Sequence, residues 1–240
     1  MIRAQCVCKT FRRADGGLLR ALDGVSFEVK TGQLAVVAGP NGSGKSLLMR
    51  ILAGLEEPSR GSVEADGRVG LVFQDADAQI LGDTPLDDVL FGLRMGRKGP
   101  SKEEANRRAV QALRQVGLEG KMDSPTHFLS GGEKRRLAIA SVLALGREII
   151  ILDEPYSNLD FPGVKSVNGI ISDLKGRGLT VLLLTHEIEK CLALADRFLV
   201  IYRGQKVCDV DADQTLGLDL EAWGIRNPDP GGDRSRLLWI

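Results

Sequence analysis

One stretch of this chain combines the residue types and the spacing of a phosphate-binding loop. Residues 39–46 read GPNGSGKS, so that Gly39, Gly44, Lys45 and Ser46 satisfy the pattern G-x-x-x-x-G-K-S. The glycines let backbone N–H groups turn towards phosphate oxygens, the lysine neutralises their charge, and the serine hydroxyl is a hard oxygen ligand for Mg²⁺. The pattern therefore predicts a cradle for a nucleoside triphosphate.

A second feature is a pair of adjacent carboxylates that follows an apolar run. Residues 149–155 read IIILDEP, which places Asp153 and Glu154 at the carboxyl end of a predicted buried strand, where open α/β sheets bind their ligands. We expect Asp153 to hold Mg²⁺ through its water shell and Glu154 to polarise an attacking water molecule. The alternative is a solvated pair of acids at a strand end.

Three single residues also end predicted strands. Gln74 follows VGLVF, and its amide is able to face a metal ion and a water molecule together. His186 ends the run LLLTH and could contact the terminal phosphate, although a histidine there is more often a polar strand end. Phe11 could stack on a nucleotide base, although an aromatic residue in this position is by default part of the core.

A second helix start with an affinity for anions is predicted at residues 129–139, which read LSGGEKRRLAI. Ser130, Gly131 and Gly132 place backbone N–H groups at a helix N-terminus, and two flexible glycines there carry an entropic cost that implies a use. Three cations follow in the first turns, where they oppose the helix dipole. We expect them either to meet an anion or to face water; they are Lys134, Arg135 and Arg136.

The elements that position these residues follow from periodicity. Two N-terminal strands, 2–11 and 21–30, are predicted to pair antiparallel, and two short strands are predicted around a turn at 66–67. Strands then alternate with helices, which is typical of a mainly parallel sheet, and a hairpin is predicted to turn at 203–204. A block of helices interrupts the sheet, including one opened by a capping box from Ser101 to Glu104.

The bulk composition limits the possible partners and compartments. Lysine plus arginine equals aspartate plus glutamate at 32 each, so there is no basic excess for nucleic acid, and we expect no nucleic-acid partner. The apolar runs are far shorter than the roughly 18 residues of a membrane span, and no secretory leader is evident. We therefore expect a soluble, cytoplasmic protein whose four cysteines are buried, reduced thiols.

Taken in order, GPNGSGKS, FQ, LSGGE, ILDEP, SNLD and LTHE resemble the motifs of the nucleotide-binding domain of ABC-type ATPases, over residues 2–212. The resemblance implies an α/β fold with a P-loop NTPase (RecA-like) core at 1–74 and 146–212, a mainly parallel sheet, an N-terminal antiparallel β region and an inserted α-helical subdomain at 75–145. Residues 213–240 are then a short extension with a Pro/Gly linker at 227–235.

The same resemblance implies a role for each candidate residue. ATP would contact Phe11, Asn41, Gly42, Ser43, Gly44, Lys45, Ser46, Leu47, Ser130, Gly131 and Gly132. Catalysis would involve Glu154, His186 and Gln74, and Mg²⁺ would be bound by Ser46, Gln74 and Asp153. In this family two domains pair head to tail, and the signature residues 129–133 of one chain close over the ATP in the other. That arrangement would explain why one chain has two anion-binding helix starts.

A narrower resemblance covers FQDADAQILGDTPLDDVLFGL at 73–93. It is similar to the ATPase components of energy-coupling factor transporters, which import cobalt, nickel, biotin and other vitamins. This implies an integral membrane scaffold subunit as partner, a location on the inner face of the cell membrane, and a coupling role for Asp75, Asp77 and Gln79. Two alternatives are a soluble ABC ATPase acting on ribosomes or DNA and a small-molecule P-loop kinase.

Overall fold

The computed structural model describes residues 1–95, 99–228, 237 and 239. Its strands are β1 (Ile2–Arg12), β2 (Leu18–Val29), β3 (Leu34–Ala38), β4 (Arg60–Ala65), β5 (Val69–Val72), β6 (Ile149–Asp153), β7 (Thr180–Leu184), β8 (Arg197–Tyr202) and β9 (Gln205–Asp211). Its α-helices are α1 (Lys45–Leu52), α2 (Pro85–Arg94), α3 (Lys102–Gln115), α4 (Gly131–Ala144) and α5 (Phe161–Gly176). Most of the predicted linker, residues 229–235, lies outside the described residues.

A six-stranded sheet forms the centre of the molecule, in the order β5-β6-β7-β3-β8-β9. All neighbours are parallel except β9, which pairs antiparallel with β8. Alternate side chains of each strand enter two separate cores, as in β3, where Leu34 and Val36 face one core and Ala35 and Val37 the other. The predicted mainly parallel α/β fold is confirmed.

The N-terminal region forms its own three-stranded antiparallel sheet in the order β2-β1-β4. The two short strands predicted around residues 66–67 are present, but β4 pairs with β1 and β5 pairs with β6. The turn therefore passes from one sheet to the other and is not a hairpin. A bulge between Ala4 and Val7 gives Cys6 a positive φ of 47° and exposes it, so the prediction that all four thiols are buried is wrong.

Two helix starts in the insertion between β5 and β6 differ from the prediction. Ser101 accepts a hydrogen bond from the N–H of Glu104, but the Glu104 carboxylate binds Arg107 and Arg108, so that the predicted capping box is only half formed. A complete capping box occurs at α4, between Ser130 and Glu133. The S-x-x-E pattern that predicts such a box is present there in the sequence, at Ser130 and Glu133.

The β8–β9 hairpin supports the phosphate-binding loop from behind. Its turn is at Arg203 and Gly204, as predicted, and both have a positive φ, of 49° and 78°, as a tight hairpin turn requires. The Gly204 N–H donates to Ser43 O at 2.9 Å. On the preceding strand, Ile201 O lies so near Gly39 that a Cβ there would come within 2.1 Å of it. Glycine at position 39 is thus required by close packing.

The remaining described residues complete the larger core. Leu220 and Ile225, in the segment that follows β9, are buried against the helices and the sheet. In the described residues, no helix is long and apolar enough to cross a membrane.

Candidate active site

The structure brings most of the predicted site residues to one cavity of about 300 Å³ at the carboxyl ends of the parallel strands. The residues that line it are Asn41, Gly42, Ser43, Gly44, Lys45, Ser46, Leu47, Gln74, Glu154 and His186. They come from the loop after β3, from the first turn of α1 and from the residues that follow β5, β6 and β7, and they lie up to 145 residues apart in the chain. Their convergence at this edge follows from the parallel arrangement of the strands.

The phosphate-binding loop is held in a conformation that few sequences adopt. Gly44 has a φ of 101° and caps α1, and a Cβ there would lie 2.8 Å from Leu22 and 2.9 Å from Ala21 O. Lys45 is the first residue of α1, and its ammonium donates to Gly39 O at 2.6 Å and to Pro40 O at 3.1 Å. Burial leaves the Lys45 ammonium poorly solvated and so lowers the pKa of this group. A bound anion would compensate for the lost solvation.

The loop and β6 meet at two oxygens suited to a hard cation. The Ser46 hydroxyl donates to Asp153 Oδ1 at 3.3 Å, and Asp153 is nearly buried. That burial raises the pKa of Asp153, which is a cost that a bound cation would offset. No group of three or more His, Cys, Asp or Glu side chains in the described residues is arranged for a metal ion. The Ser46 hydroxyl, the Asp153 carboxylate and the Gln74 amide are oxygen ligands that fit Mg²⁺. This ion keeps several water ligands and takes further oxygens from phosphates.

Glu154 has an unusual backbone conformation and an unfilled hydrogen-bonding capacity. Its φ is 46°, in the left-handed region that a non-glycine residue seldom adopts, and its N–H donates to Leu184 O at 2.9 Å. Its Oε1 lies 3.0 Å from His186 Nδ1. Its Oε2 is buried and has no hydrogen-bond partner within the described part of the chain. Glu154 lines the cavity of the phosphate-binding loop, and a carboxylate there with one unpaired oxygen is suited to binding a water molecule.

Gln74 lines the same cavity, and its main chain is held by a buried cation that was not identified as such from the sequence. Arg135 of α4 is only 4% exposed, and its two terminal nitrogens donate to Phe73 O and Gln74 O, both at 2.6 Å. The expectation that this arginine faces water or an external anion is wrong. Its neighbours Lys134 and Arg136 also bind within the chain, to Asp77 and to Val116 O.

We predict that Arg135→Met lowers the free energy of unfolding by about 2–4 kcal/mol, because two charge-assisted hydrogen bonds are lost and two carbonyls lose their donors. Urea denaturation of the purified chain measures this change. The matched control is Arg114→Met, which removes an exposed arginine that pairs with Glu119, and a change below about 1 kcal/mol is expected there. Equal losses in the two variants would contradict the assigned role of Arg135.

Phe11 lies on the surface near the end of β1. It is the last residue but one of β1 and has 40% of its surface exposed, so it is not a core residue, and the Lys9 ammonium lies 5.4 Å from its ring centroid. Among the described residues that line the cavity, Phe11 does not appear. Its predicted contact with a base stays a prediction.

The second predicted anion site, formed by Ser130, Gly131 and Gly132, lies in a separate cavity of about 400 Å³. We call these three residues the second cradle and the phosphate-binding loop the first. Ser130 Oγ accepts from the N–H of Glu133, and the Glu133 carboxylate accepts from the N–H of Ser130. Between these two lie Gly131 and Gly132, whose N–H groups are outside the cap. Asn158 also lines this cavity, with a φ of 61°. Among the described residues, none lines both this cavity and that of the phosphate-binding loop.

The segment 75–79 is exposed at Asp75 and Asp77, and both carboxylates also make contacts within the chain. Asp75 Oδ1 accepts from the N–H groups of Asp77 and Ala78, which closes a local turn. Asp77 pairs with Lys134 at 2.5 Å. Gln79 turns inwards, since its Oε1 accepts from the N–H of Phe73 at 3.0 Å. A substitution of Gln79 would therefore disturb the loop at Gln74 directly, and it is unsuitable as a probe of a partner surface.

Comparison with known proteins points to the same family as the sequence motifs. Residues 22–157, more than half of the chain, match the family model described as ABC transporter. The chain is 39% identical over 211 residues to the energy-coupling factor transporter ATP-binding protein EcfA of Methanocaldococcus jannaschii, which covers 81% of this chain and 74% of that protein.

Two solved structures are similar in fold. One is cbiO1 from Clostridium perfringens, described as part of the ABC transporter complex cbiONQ, with 29% identity and a TM-score of 0.79 over 95% of each chain. The other is a dimeric ATP-binding cassette in a post-hydrolysis state, bound to ADP and phosphate, with 28% identity and a TM-score of 0.79 over 88% of this chain and 99% of that chain.

Proposed function

Because this chain belongs to the ABC transporter family and is an ATP-hydrolysing subunit of that family, we propose that it drives a membrane importer of the energy-coupling factor type. The similarity to EcfA, which is named as the ATP-binding protein of such a transporter, is the observation that carries the proposal. The resemblance of residues 73–93 to the ATPase components of such transporters implies that the cargo would be cobalt, nickel or a vitamin such as biotin. The protein would then lie peripherally on the inner face of the cell membrane.

We propose that the catalytic unit is a dimer with a second ATP-binding subunit. The two cradles lie in separate cavities with no described lining residue in common, so one cavity does not combine the phosphate-binding loop with Ser130, Gly131 and Gly132. Pairing two chains head to tail would place the second cradle of one against the first cradle of the other. A solved cassette of similar fold is dimeric and holds ADP and phosphate, which supports this arrangement.

Within each site, the roles follow from chemistry. Lys45 and the loop N–H groups would bind the β- and γ-phosphates, and Glu154 would accept a proton from the attacking water through its unpaired oxygen. His186 would hold the Glu154 carboxylate in place and reach the γ-phosphate. Ser46, Asp153 and Gln74 would hold Mg²⁺. When bound, Mg²⁺ neutralises charge on the phosphates.

We propose that the helical insertion contacts the membrane scaffold subunit. Four large apolar side chains on it are exposed: Leu81 by 68%, Phe91 by 44%, Met95 by 71% and Phe128 by 74%. Met95 is the C-cap residue of α2 and lies four residues after Phe91, so that the two side chains are on the same side of the helix end. Leu81 and Phe128 lie on segments joined by the bonds of Thr126 to Gly82 O and Asp83 O, at 2.9 and 2.8 Å. We call these four residues the docking surface.

We predict that Phe91→Ser combined with Met95→Ser weakens co-purification with the scaffold subunit and lowers cargo uptake, each by about tenfold, since buried aromatic anchors dominate interface energies. The ATPase activity of the isolated protein should stay within about twofold of the parent, because neither side chain lines a cradle. Pull-down and uptake are measured in the same cells, after co-expression with the membrane subunits.

The control for this test is Leu55→Ser, which removes a side chain that is 59% exposed and lies beyond the end of α1, outside the docking surface. It should leave both pull-down and uptake unchanged. Full uptake by the Phe91/Met95 variant would refute the docking role. Uptake lost equally with Leu55→Ser would point to a general loss of solubility.

The two alternative functions are not favoured. A small-molecule P-loop kinase would have no use for the second cradle, and the relatives described above are transport ATPases. A soluble ABC ATPase acting on ribosomes or DNA usually has fused nucleotide domains or basic arms, whereas this chain has equal numbers of acidic and basic residues.

A further inference from the structure

A buried asparagine behind the active site connects three segments of the chain. Asn168, on α5, is 0% exposed. Its Oδ1 accepts from the Tyr156 hydroxyl at 2.7 Å, and its Nδ2 donates to Lys190 O at 2.7 Å and to Trp239 O at 3.1 Å. Carbonyl oxygens only accept, so the atom that faces two of them must be the amide nitrogen, and the orientation of this side chain is fixed.

Two of these segments lead directly to the groups proposed for catalysis. Tyr156 is two residues after Glu154, and Lys190 is four residues after His186. Glu154 Oε1 and His186 Nδ1 are 3.0 Å apart, so the segment after β6 and the segment after β7 are also in contact at the cavity. The catalytic pair and the Asn168 amide therefore hold the ends of β6 and β7 at two points, one at the cavity and one in the core.

The backbone at Glu154 explains why a second point of attachment is needed. A φ of 46° is energetically costly for a side chain with a Cβ, and such a conformation persists only where the surrounding structure enforces it. On the upstream side the Glu154 N–H is bound to Leu184 O. On the downstream side the fixed residue is Tyr156, which is fully buried and whose hydroxyl is bound to Asn168.

We infer that Asn168 is a positioning residue for ATP hydrolysis: its amide binds the segment after Glu154 to the segment after His186 and so keeps the Glu154 carboxylate aligned with the attacking water. The inference rests on the roles proposed for Glu154 and His186. The Asn168 side chain is fully buried and lines neither cradle, so it would act through Tyr156 and Lys190. The third bond, to Trp239, fixes the amide further, and the Trp239 ring packs on Phe161 at 5.5 Å between centroids.

Three variants of the full chain test this inference. Tyr156→Phe removes only the hydroxyl and keeps the ring, Asn168→Leu removes the amide at similar volume, and the third variant combines the two. We expect kcat to fall by about threefold in the first and about tenfold in the second, because small misplacements of a catalytic group have large effects on rate. The affinity for ATP in the presence of Mg²⁺ should stay within about twofold, since the phosphate-binding loop is unchanged.

A change of kcat without a change of nucleotide affinity separates positioning from general damage. If both residues act through one network, the double variant should be no slower than Asn168→Leu alone. The matched control is Ile171→Ala, which opens a cavity at a buried apolar position of the same helix. It should lower thermal stability and leave kcat within about twofold at a temperature well below unfolding.

Each outcome has a definite meaning. Wild-type kcat in Tyr156→Phe and Asn168→Leu, while Glu154→Gln is inactive, would overturn the positioning role and leave the proposed catalysis intact. Wild-type kcat in Glu154→Gln would overturn the proposed catalysis itself. If Asn168→Leu does not fold, Tyr156→Phe still decides, because it retains the packing of the ring; a kcat equal to that of the parent would then refute the inference.

Discussion

Replacing Glu154 with glutamine is expected to lower ATP turnover by at least about 100-fold, because the attacking water loses its base while its position is otherwise unchanged. Binding of ATP and Mg²⁺ should persist, since Lys45, Ser46 and Asp153 are untouched. Glutamine is nearly isosteric with glutamate, so the packing at this buried position is preserved. The phosphate released per dimer and the affinity for ATP are measured on the same preparation.

A second consequence follows if ATP binding closes the dimer and hydrolysis opens it. The Glu154→Gln protein should accumulate as a dimer when ATP and Mg²⁺ are present and return to monomer without them, as measured by size-exclusion chromatography. The matched control is Glu187→Gln, which removes a nearby carboxylate that pairs with Lys190 and does not line the cavity. That variant should retain turnover within about twofold. A Glu154→Gln protein that stays monomeric with ATP would contradict the proposed cycle.

Much of the fold could be predicted because its strongest signals are local. The apolar runs of β3, β6 and β7 are buried on both faces, and such strands have almost continuous apolar sequences. The positive φ values at Arg203 and Gly204 match the hairpin turn that was predicted there. What could not be predicted is which strands β4 and β5 pair with. The pattern around residues 66–67 is compatible with a hairpin, and only the competing partners β1 and β6 exclude it.

In the candidate site, too, a local motif could be predicted and a long-range contact could not. The spacing of Gly39, Gly44, Lys45 and Ser46 has a direct chemical meaning, and the last three of these residues do line one cavity with Glu154 and His186. The role of Arg135 had no local signal, because its hydrogen bonds are to main-chain oxygens of Phe73 and Gln74, about 60 residues earlier in the sequence. An arginine in a charged run is normally assigned to solvent, and only tertiary contacts show that this one is buried.

Whether the two cradles act in different chains can be decided by mixing two inactive variants. Lys45→Ala damages the phosphate-binding loop and leaves the second cradle intact, whereas Ser130→Arg fills the second cradle and leaves the loop intact. In a heterodimer of the two, one composite site combines both lesions and the other has none. With random pairing, about one quarter of the wild-type turnover should return, because half of the dimers are mixed and each has one sound site.

The control mixture makes this prediction specific. Lys45→Ala and Glu154→Gln both damage the side of the site that holds the phosphates, so each composite site of their heterodimer contains one lesion, and no activity should return. Both mixtures contain equal amounts of two inactive proteins and differ only in which cradle the second lesion affects. Recovery in the first mixture alone requires that Ser130 of one chain serves the ATP bound by its partner. If neither mixture recovers, the second cradle does not act across the dimer, and its separation from the phosphate-binding loop needs another explanation.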